Sequence, residues 1–319
     1  MSFVETHRTG PKCTIEAPCK INLHLKIGDK RPDGFHELES IFTSLSLSDS
    51  LRFECDGREG DCKLSVKWEV SEINILNEEN LVYRAVSLFR EKTGFDFGLR
   101  IKLVKCIPAG AGLGGGSSDA ASVLLALNSL AKTNLSIEKL KEMALQLGSD
   151  VPFFLYGGAA FVSGRGEFIE TIAPPDERLW VLLVKPPFFS DTSSAFGLLD
   201  KFRESGKAGE GGGKGSTDTI RTRPVSLEGD PAKWPFFNDF LPVFLAENSV
   251  NGRSYQHLLE TLKSSGASFI GLSGAGSCCF GIFNNKKAAR SAEKIQIDKG
   301  NFVRLAFFLA NKPKPVVEY

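Results

Sequence analysis

The sequence lacks any apolar run long enough to cross a bilayer as a helix, and its opening segment, Met1 to Lys12, has no hydrophobic core of the signal-peptide kind. It also lacks an excess of either charge. Lysine and arginine number 39 against 38 acidic residues, a net charge of +1, which offers no general attraction to nucleic acid or to an anionic membrane surface. The seven cysteines are irregularly spaced and contain no Cys-x-x-Cys, which argues against both a disulfide framework and a zinc site. Four histidines, His7, His24, His36 and His257, are too scattered to form a metal motif. The remaining composition, 42% hydrophobic and 24% charged, is that of an ordinary globular chain. A reduced, cytoplasmic protein is the expectation.

What the sequence does have is alternation and glycine. From Cys13 to Ile27, the residues Ile21, Leu23, Leu25 and Ile27 share one side, and Lys20, Asn22, His24 and Lys26 the other. That period predicts a strand with one buried face. Further strands are expected over Glu37–Leu47, Ser50–Cys55 and Leu99–Ile107. Helices are expected over Asn80–Glu91, Asp119–Leu130 and Ser136–Leu147, the last opening on a serine cap and stopping at Gly148. Beyond Pro174-Pro175 the pattern predicts a strand at Leu179–Val184, helices near Phe236–Glu247, Ser254–Ser264 and Lys286–Lys294, and a last strand at Phe302–Leu309. Ser268–Ile282 reads as a hairpin turning at Gly274-Ala275-Gly276. Strands and helices so interspersed indicate the α+β class, divided into domains at 1–172 and 173–319. Ser205–Thr217, with six glycines and few apolar residues, reads as a mobile insertion in the second domain rather than a site.

The most informative segment is Pro108-Ala109-Gly110-Ala111-Gly112-Leu113-Gly114-Gly115-Gly116-Ser117-Ser118, placed between a strand and a helix. Glycines allow close backbone approach and positive φ, so N–H groups can converge on a phosphate, and a helix starting near Ser117 adds its dipole. The hydroxyls of Ser117 and Ser118 are open to three roles: helix cap, phosphate contact or magnesium ligand. Gly110-x-Gly112-x-x-Gly115 also matches the dinucleotide fingerprint, but Thr133–Leu147 reads as helix where that fold requires a strand. No Gly-Lys-Ser/Thr closes a Walker loop. Phosphoryl transfer needs charge neutralisation and a place for a proton, and Lys20 and Asp150 are the candidates. By pattern alone, a solvated strand face and a turn aspartate are the plainer readings of those two.

Four blocks stand in the order found in GHMP-type kinases: Ala17-Pro18-Cys19-Lys20-Ile21-Asn22-Leu23, Ile107 to Ala121, Gly148-Ser149-Asp150-Val151-Pro152-Phe153-Phe154, and Leu272-Ser273-Gly274-Ala275-Gly276-Ser277. A fifth, Arg31-Pro32-Asp33-Gly34-Phe35-His36-Glu37-Leu38, resembles the block of those members that act on a cytidine-diphosphate-linked polyol. The resemblance runs from Ala17 to about Phe280. It implies a two-domain fold, with an N-terminal domain like domain 2 of ribosomal protein S5, a ferredoxin-like C-terminal domain and the active site in the cleft. It implies ATP and Mg2+ as cofactors, with ATP on the glycine loop and Asn80 and Lys105 near its base. Lys20 and Asp150 would be catalytic. Asn22, Phe35, His36, Thr192 and Phe196 would bind the small-molecule partner, the two phenyl rings stacking on its base. Neither nucleic acid nor membrane is implied as a partner, and the oligomeric state stays open between monomer and weak homodimer. Cys19, Phe35 and Ser149 depart from the alanine, tyrosine and alanine usual at those places.

Overall fold

The alternating N-terminal segment forms β1 (Lys12–Lys30), which pairs antiparallel with β2 (His36–Glu59) along its length. The computed structural model describes residues 10–32, 34–70, 79–205, 226–247 and 249–318, with 56–59 as backbone alone. The glycine-rich insertion expected at 205–217 lies, beyond Ser205, outside the described residues. Glu37–Leu47 and Ser50–Cys55, two strands by pattern, are parts of the single long β2.

β1 does not keep the solvated face that its alternation suggests. Lys20, Asn22 and His24 are 3%, 3% and 0% exposed. Register breaks at Pro18/Cys19 and Asn22/His24 re-aim the strand as bulges do. Its apolar residues therefore serve three cores in turn: Ile15 and Ala17 the first, Ile21 and Leu23 the second, Leu25 and Ile27 the third. A segment from the far half of the chain then covers the polar side. Leu25 N donates to Phe237 O at 2.8 Å, and the Phe237 ring stands edge-on to His24 at 4.5 Å. Burial, with Lys26 nearby, drops the His24 pKa to about 4, so the buried imidazole is neutral.

After β2 come β3 (Cys62–Trp68), α1 (Leu81–Thr93), β4 (Phe97–Lys105), α2 (Gly115–Leu130), α3 (Ile137–Leu147), α4 (Val151–Tyr156), β5 (Ala159–Gly164) and β6 (Phe168–Ile172). Asn80 caps α1 by accepting from Val82 N, and Ser136 caps α3 by accepting from Lys139 N. The sheet runs β1–β2–β4–β3, with β5 branching from the first half of β2 and β6 pairing with β5. β3 and β4 are parallel; the other pairs are antiparallel. α2 is buried on nearly every side, and its Val123, Leu124 and Leu127 join Phe53, Phe89 and Phe153 in one core. Each large side chain so buried contributes roughly 1.5–3 kcal/mol.

The second half holds β7 (Trp180–Lys185), α5 (Thr192–Glu204), α6 (Phe240–Ala246), α7 (Val250–Ser264), β8 (Phe269–Leu272), β9 (Cys279–Phe283), α8 (Lys286–Asp298) and β10 (Phe302–Phe307). Its sheet runs β10–β7–β9–β8, all antiparallel, and β8–β9 is the expected hairpin. The chain ends on β11 (Val316–Glu318), which returns to pair with β1 in the first sheet. Ile21, Leu23 and Ile41 meet Val181, Leu183 and Phe280 in a core between the sheets. That joint places the β8–β9 turn against the glycine loop. Among the described residues, no helix is long and apolar enough to cross a membrane.

Candidate active site

β4 delivers the chain into the glycine loop and α2 receives it at Gly115. Gly112 and Gly114 hold φ of +72° and +70°, which L side chains rarely adopt. Gly114 is the N-cap of α2 and no side chain caps that end, so the first-turn amides are left for an anion. The helix thus starts four residues before its apolar pattern does. A cleft of about 370 Å³ opens above it, lined by the loop together with Val66, Trp68, Asn80, Leu81 and Lys105. Ser117 lines this cleft, whereas the Ser118 hydroxyl is fully buried and without a protein partner.

The second half grips the loop from outside. Ser273 Oγ donates to Gly112 O at 2.8 Å and Cys278 N to Ala111 O at 3.2 Å. A Cβ added at Gly112 would stand 2.0 Å from Ser273 O.

β1 reaches the loop from the other side: Lys20 N donates to Leu113 O at 2.9 Å. The Lys20 ammonium lies 3.4 Å from the Asp150 carboxylate, 2.6 Å from Asn22 Oδ1 and 4.6 Å over the Phe42 ring. Asn22 Nδ2 in turn donates to Ser40 Oγ at 2.9 Å. Asn22 therefore joins the Lys20 group, with both ends of its amide engaged inside the protein. Asp150 sits at the N-cap position of α4, but its side chain makes no capping bond. Its carboxylate is thereby left facing Lys20 and, at 36% side-chain exposure, solvent.

Two residues of this region, Asp49 and Asp119, are given no role by the sequence reading. Lys105, 5% exposed, donates to Asp49 and, at 2.6 Å, to Asp119. Asp49 also accepts the N–H groups of Cys106 and Ile107, at 2.6 and 2.8 Å, and so fixes the entry to the loop. Burial opposes charge on Lys105, but Asp119 and Asp49 more than offset it and its pKa rises. Burial raises Asp119 to about 7; Asp49 adds to the rise and Lys105 opposes it. The available signal was an aspartate at the head of the apolar run of α2, where burial requires a partner.

The predicted acceptor residues make contacts of their own, apart from the glycine loop. His36 stacks on Phe196 with ring centroids 4.9 Å apart and bonds Asp200 Oδ1 at 3.0 Å. Phe35 is 49% exposed, and the Arg165 guanidinium lies 3.8 Å over its ring. Thr192 opens α5, whose N-cap is Asp191, one turn before Phe196.

A glycine loop at an uncapped helix end, held between a Lys–Asp pair and a turn of a second sheet, defines a phosphoryl-transfer enzyme of the GHMP kinase type. Family models described as GHMP kinases N terminal domain and GHMP kinases C terminal match residues 80–158 and 242–297. A relative named 4-diphosphocytidyl-2-C-methyl-D-erythritol kinase, from Treponema pallidum (strain Nichols), is 36% identical over 282 residues, covering 88% of this chain and 94% of the relative. For the relative of the same name in Synechococcus sp. (strain CC9605) the figures are 37% over 287 residues, 88% and 90%. A crystal structure of 4-(cytidine 5'-diphospho)-2C-methyl-D-erythritol kinase superposes with a TM-score of 0.71 at 28% identity, covering 92% of this chain and 99% of that one. The chain belongs to the 4-diphosphocytidyl-2-C-methyl-D-erythritol kinase family of the GHMP kinases. It is an ATP-dependent kinase of a small molecule.

The grip on the loop has a measurable consequence. Gly112→Ala combines a positive φ with a backbone clash, and strain of about 1–3 kcal/mol converts to a roughly 5- to 150-fold loss of kcat/KM for ATP. Steady-state kinetics check it, with circular dichroism to confirm folding. Unchanged kinetics would mean that the loop does not need its contact with Ser273.

Proposed function

We propose that the chain transfers the γ-phosphoryl group of ATP to the 2-hydroxyl of 4-diphosphocytidyl-2-C-methyl-D-erythritol, a step of the non-mevalonate isoprenoid route. The observation that carries this reading is the Lys20–Asp150 pair at 3.4 Å on the flank of the phosphate loop. Asp150 orients the acceptor hydroxyl and takes its proton as the oxygen attacks the γ-phosphorus; the bond to the bridging oxygen breaks and ADP leaves. A loose transition state demands little deprotonation until bond formation is advanced, so orientation comes first and proton acceptance late. Lys20 offsets the charge gathering between the two substrates. ATP lies on Pro108 to Ser117, with Asn80 and Lys105 at the base of the cleft. Phe35, His36, Phe196 and Thr192 hold the cytidine end, stacking on a base contributing roughly 1–3 kcal/mol.

Magnesium fits as an ion that arrives with the triphosphate. Ser117, which lines the cleft, would hold it, whereas the buried Ser118 would not. When bound, the ion would neutralise charge on the phosphates. The division at residues 172 and 173 is supported by the two sheets, between which only β11 of the described strands crosses it. ATP and a nucleotide-linked acceptor favour a cytoplasmic location.

A coupled ADP-release assay against a panel of alcohols tests the reading. Activity confined to the cytidine-diphosphate-linked methylerythritol is expected. Phosphorylation of mevalonate or homoserine in its place would overturn the choice of acceptor.

A further inference from the structure

Arg165 lies in the tight turn between β5 and β6, flanked by Gly164 and Gly166 at φ of +76° and +116°. Its backbone N–H donates to the Glu167 carboxylate. Gly166 presses on Ser149, where an added Cβ would stand 2.5 Å from the carbonyl oxygen. The turn is thus seated on the residue that precedes Asp150. From this fixed base the guanidinium reaches back to lie 3.8 Å over the Phe35 ring. Phe35 remains 49% exposed, so the cation takes part of the ring and leaves surface for a second planar partner.

We infer that Arg165 is a positioning residue for the acceptor: its guanidinium, stacked on Phe35, holds that ring as the platform on which the pyrimidine base lies. The inference rests on the proposed acceptor. The physical case is that a ring that must be ordered on binding costs affinity, and a cation held across its face lowers that cost. The phenyl at residue 35 has no hydroxyl with which to anchor itself. A planar cation anchors it without consuming its edge, since guanidinium stacks on aromatic faces and an ammonium cannot reproduce that geometry. The turn also ties the base platform to the segment carrying Asp150, so the two ends of the acceptor are set by one rigid unit.

The test is kinetics on Arg165→Ala, Arg165→Lys, Phe35→Ala and the double variant Arg165→Ala/Phe35→Ala, with melting temperatures to confirm folding. Arg165→Ala is expected to raise KM for the cytidine-diphosphate-linked acceptor about 3- to 30-fold, the range an aromatic–cation contact spans. The kcat and the KM for ATP are expected to stay put. Arg165→Lys should lose nearly as much as alanine, and the double variant should lose no more than Phe35→Ala alone. Full rescue by lysine, or additive losses in the double variant, would show a charge acting on the acceptor directly and overturn the inference. No effect of Arg165→Ala alongside a clear effect of Phe35→Ala would overturn it while leaving the base site intact. No effect of Phe35→Ala would remove the base platform itself, and with it the reading on which the inference stands.

Discussion

Asp150→Asn is expected to lower kcat about 10²- to 10⁴-fold, the usual loss when a general base is removed, with KM for ATP little changed. Three observations separate this from a folding defect. Asparagine has nearly the same volume. The Asp150 side chain makes no capping bond to α4, so no helix end is released. Lys20 also keeps its other anchors, Asn22 Oδ1 at 2.6 Å and the Phe42 ring, and stays in place when the carboxylate goes. A fall in kcat without a matching rise in KM marks an interaction made in the transition state. Single-turnover kinetics with an unchanged melting temperature would locate the loss in the chemical step. Turnover within a factor of a few of the parent would remove Asp150 from that role.

Local signals carried much of this fold into the sequence. α1 and α3 begin at Asn80 and Ser136 because each supplies an oxygen to an otherwise unpaired N–H, and such caps are legible one residue at a time. The α2–α3 succession that excludes a dinucleotide fold was legible for the same reason. Elements defined by their partners were not. β5 reads as an unpatterned Ala159–Gly164 because it is buried throughout and has no polar side to alternate. β11 exists only by pairing three residues with Lys12–Thr14. β3 and α5 carry too few apolar residues to announce a face. The site divides in the same way. The glycine loop is contiguous and visible, but the covering of His24 depends on the far half of the chain. The partners of Lys105 stand 14 and 56 residues away from it, and no spacing rule reaches that far.

Lys105→Met is expected to cost about 3–5 kcal/mol of folding stability near pH 8, the scale for stripping the partner from a buried charge. The cleft-side triad is unusual in its count: two carboxylates, 0% and 3% exposed, share one ammonium. Methionine fills the space and leaves both acids uncompensated. Acidification should then return part of the loss, because protonating Asp119 removes the repulsion. The parent protein should show a weaker form of the same dependence. Asp119 has a folded pKa raised to about 7 from an ordinary 3.8, so the native state holds a proton that the unfolded chain has released. Stability therefore falls as pH rises from about 4 to about 7 and levels off above. Asp119→Asn removes that titration, keeps an oxygen for Lys105 and flattens the profile over the same window. Urea unfolding midpoints at pH 5, 7 and 8 for the parent and both variants read all three effects. If Lys105→Met unfolds at the parent's midpoint at pH 8, the ammonium is not what holds Asp49 and Asp119 together beneath the glycine loop. If Asp119→Asn keeps the parent's slope, the proton taken up on folding belongs to another group.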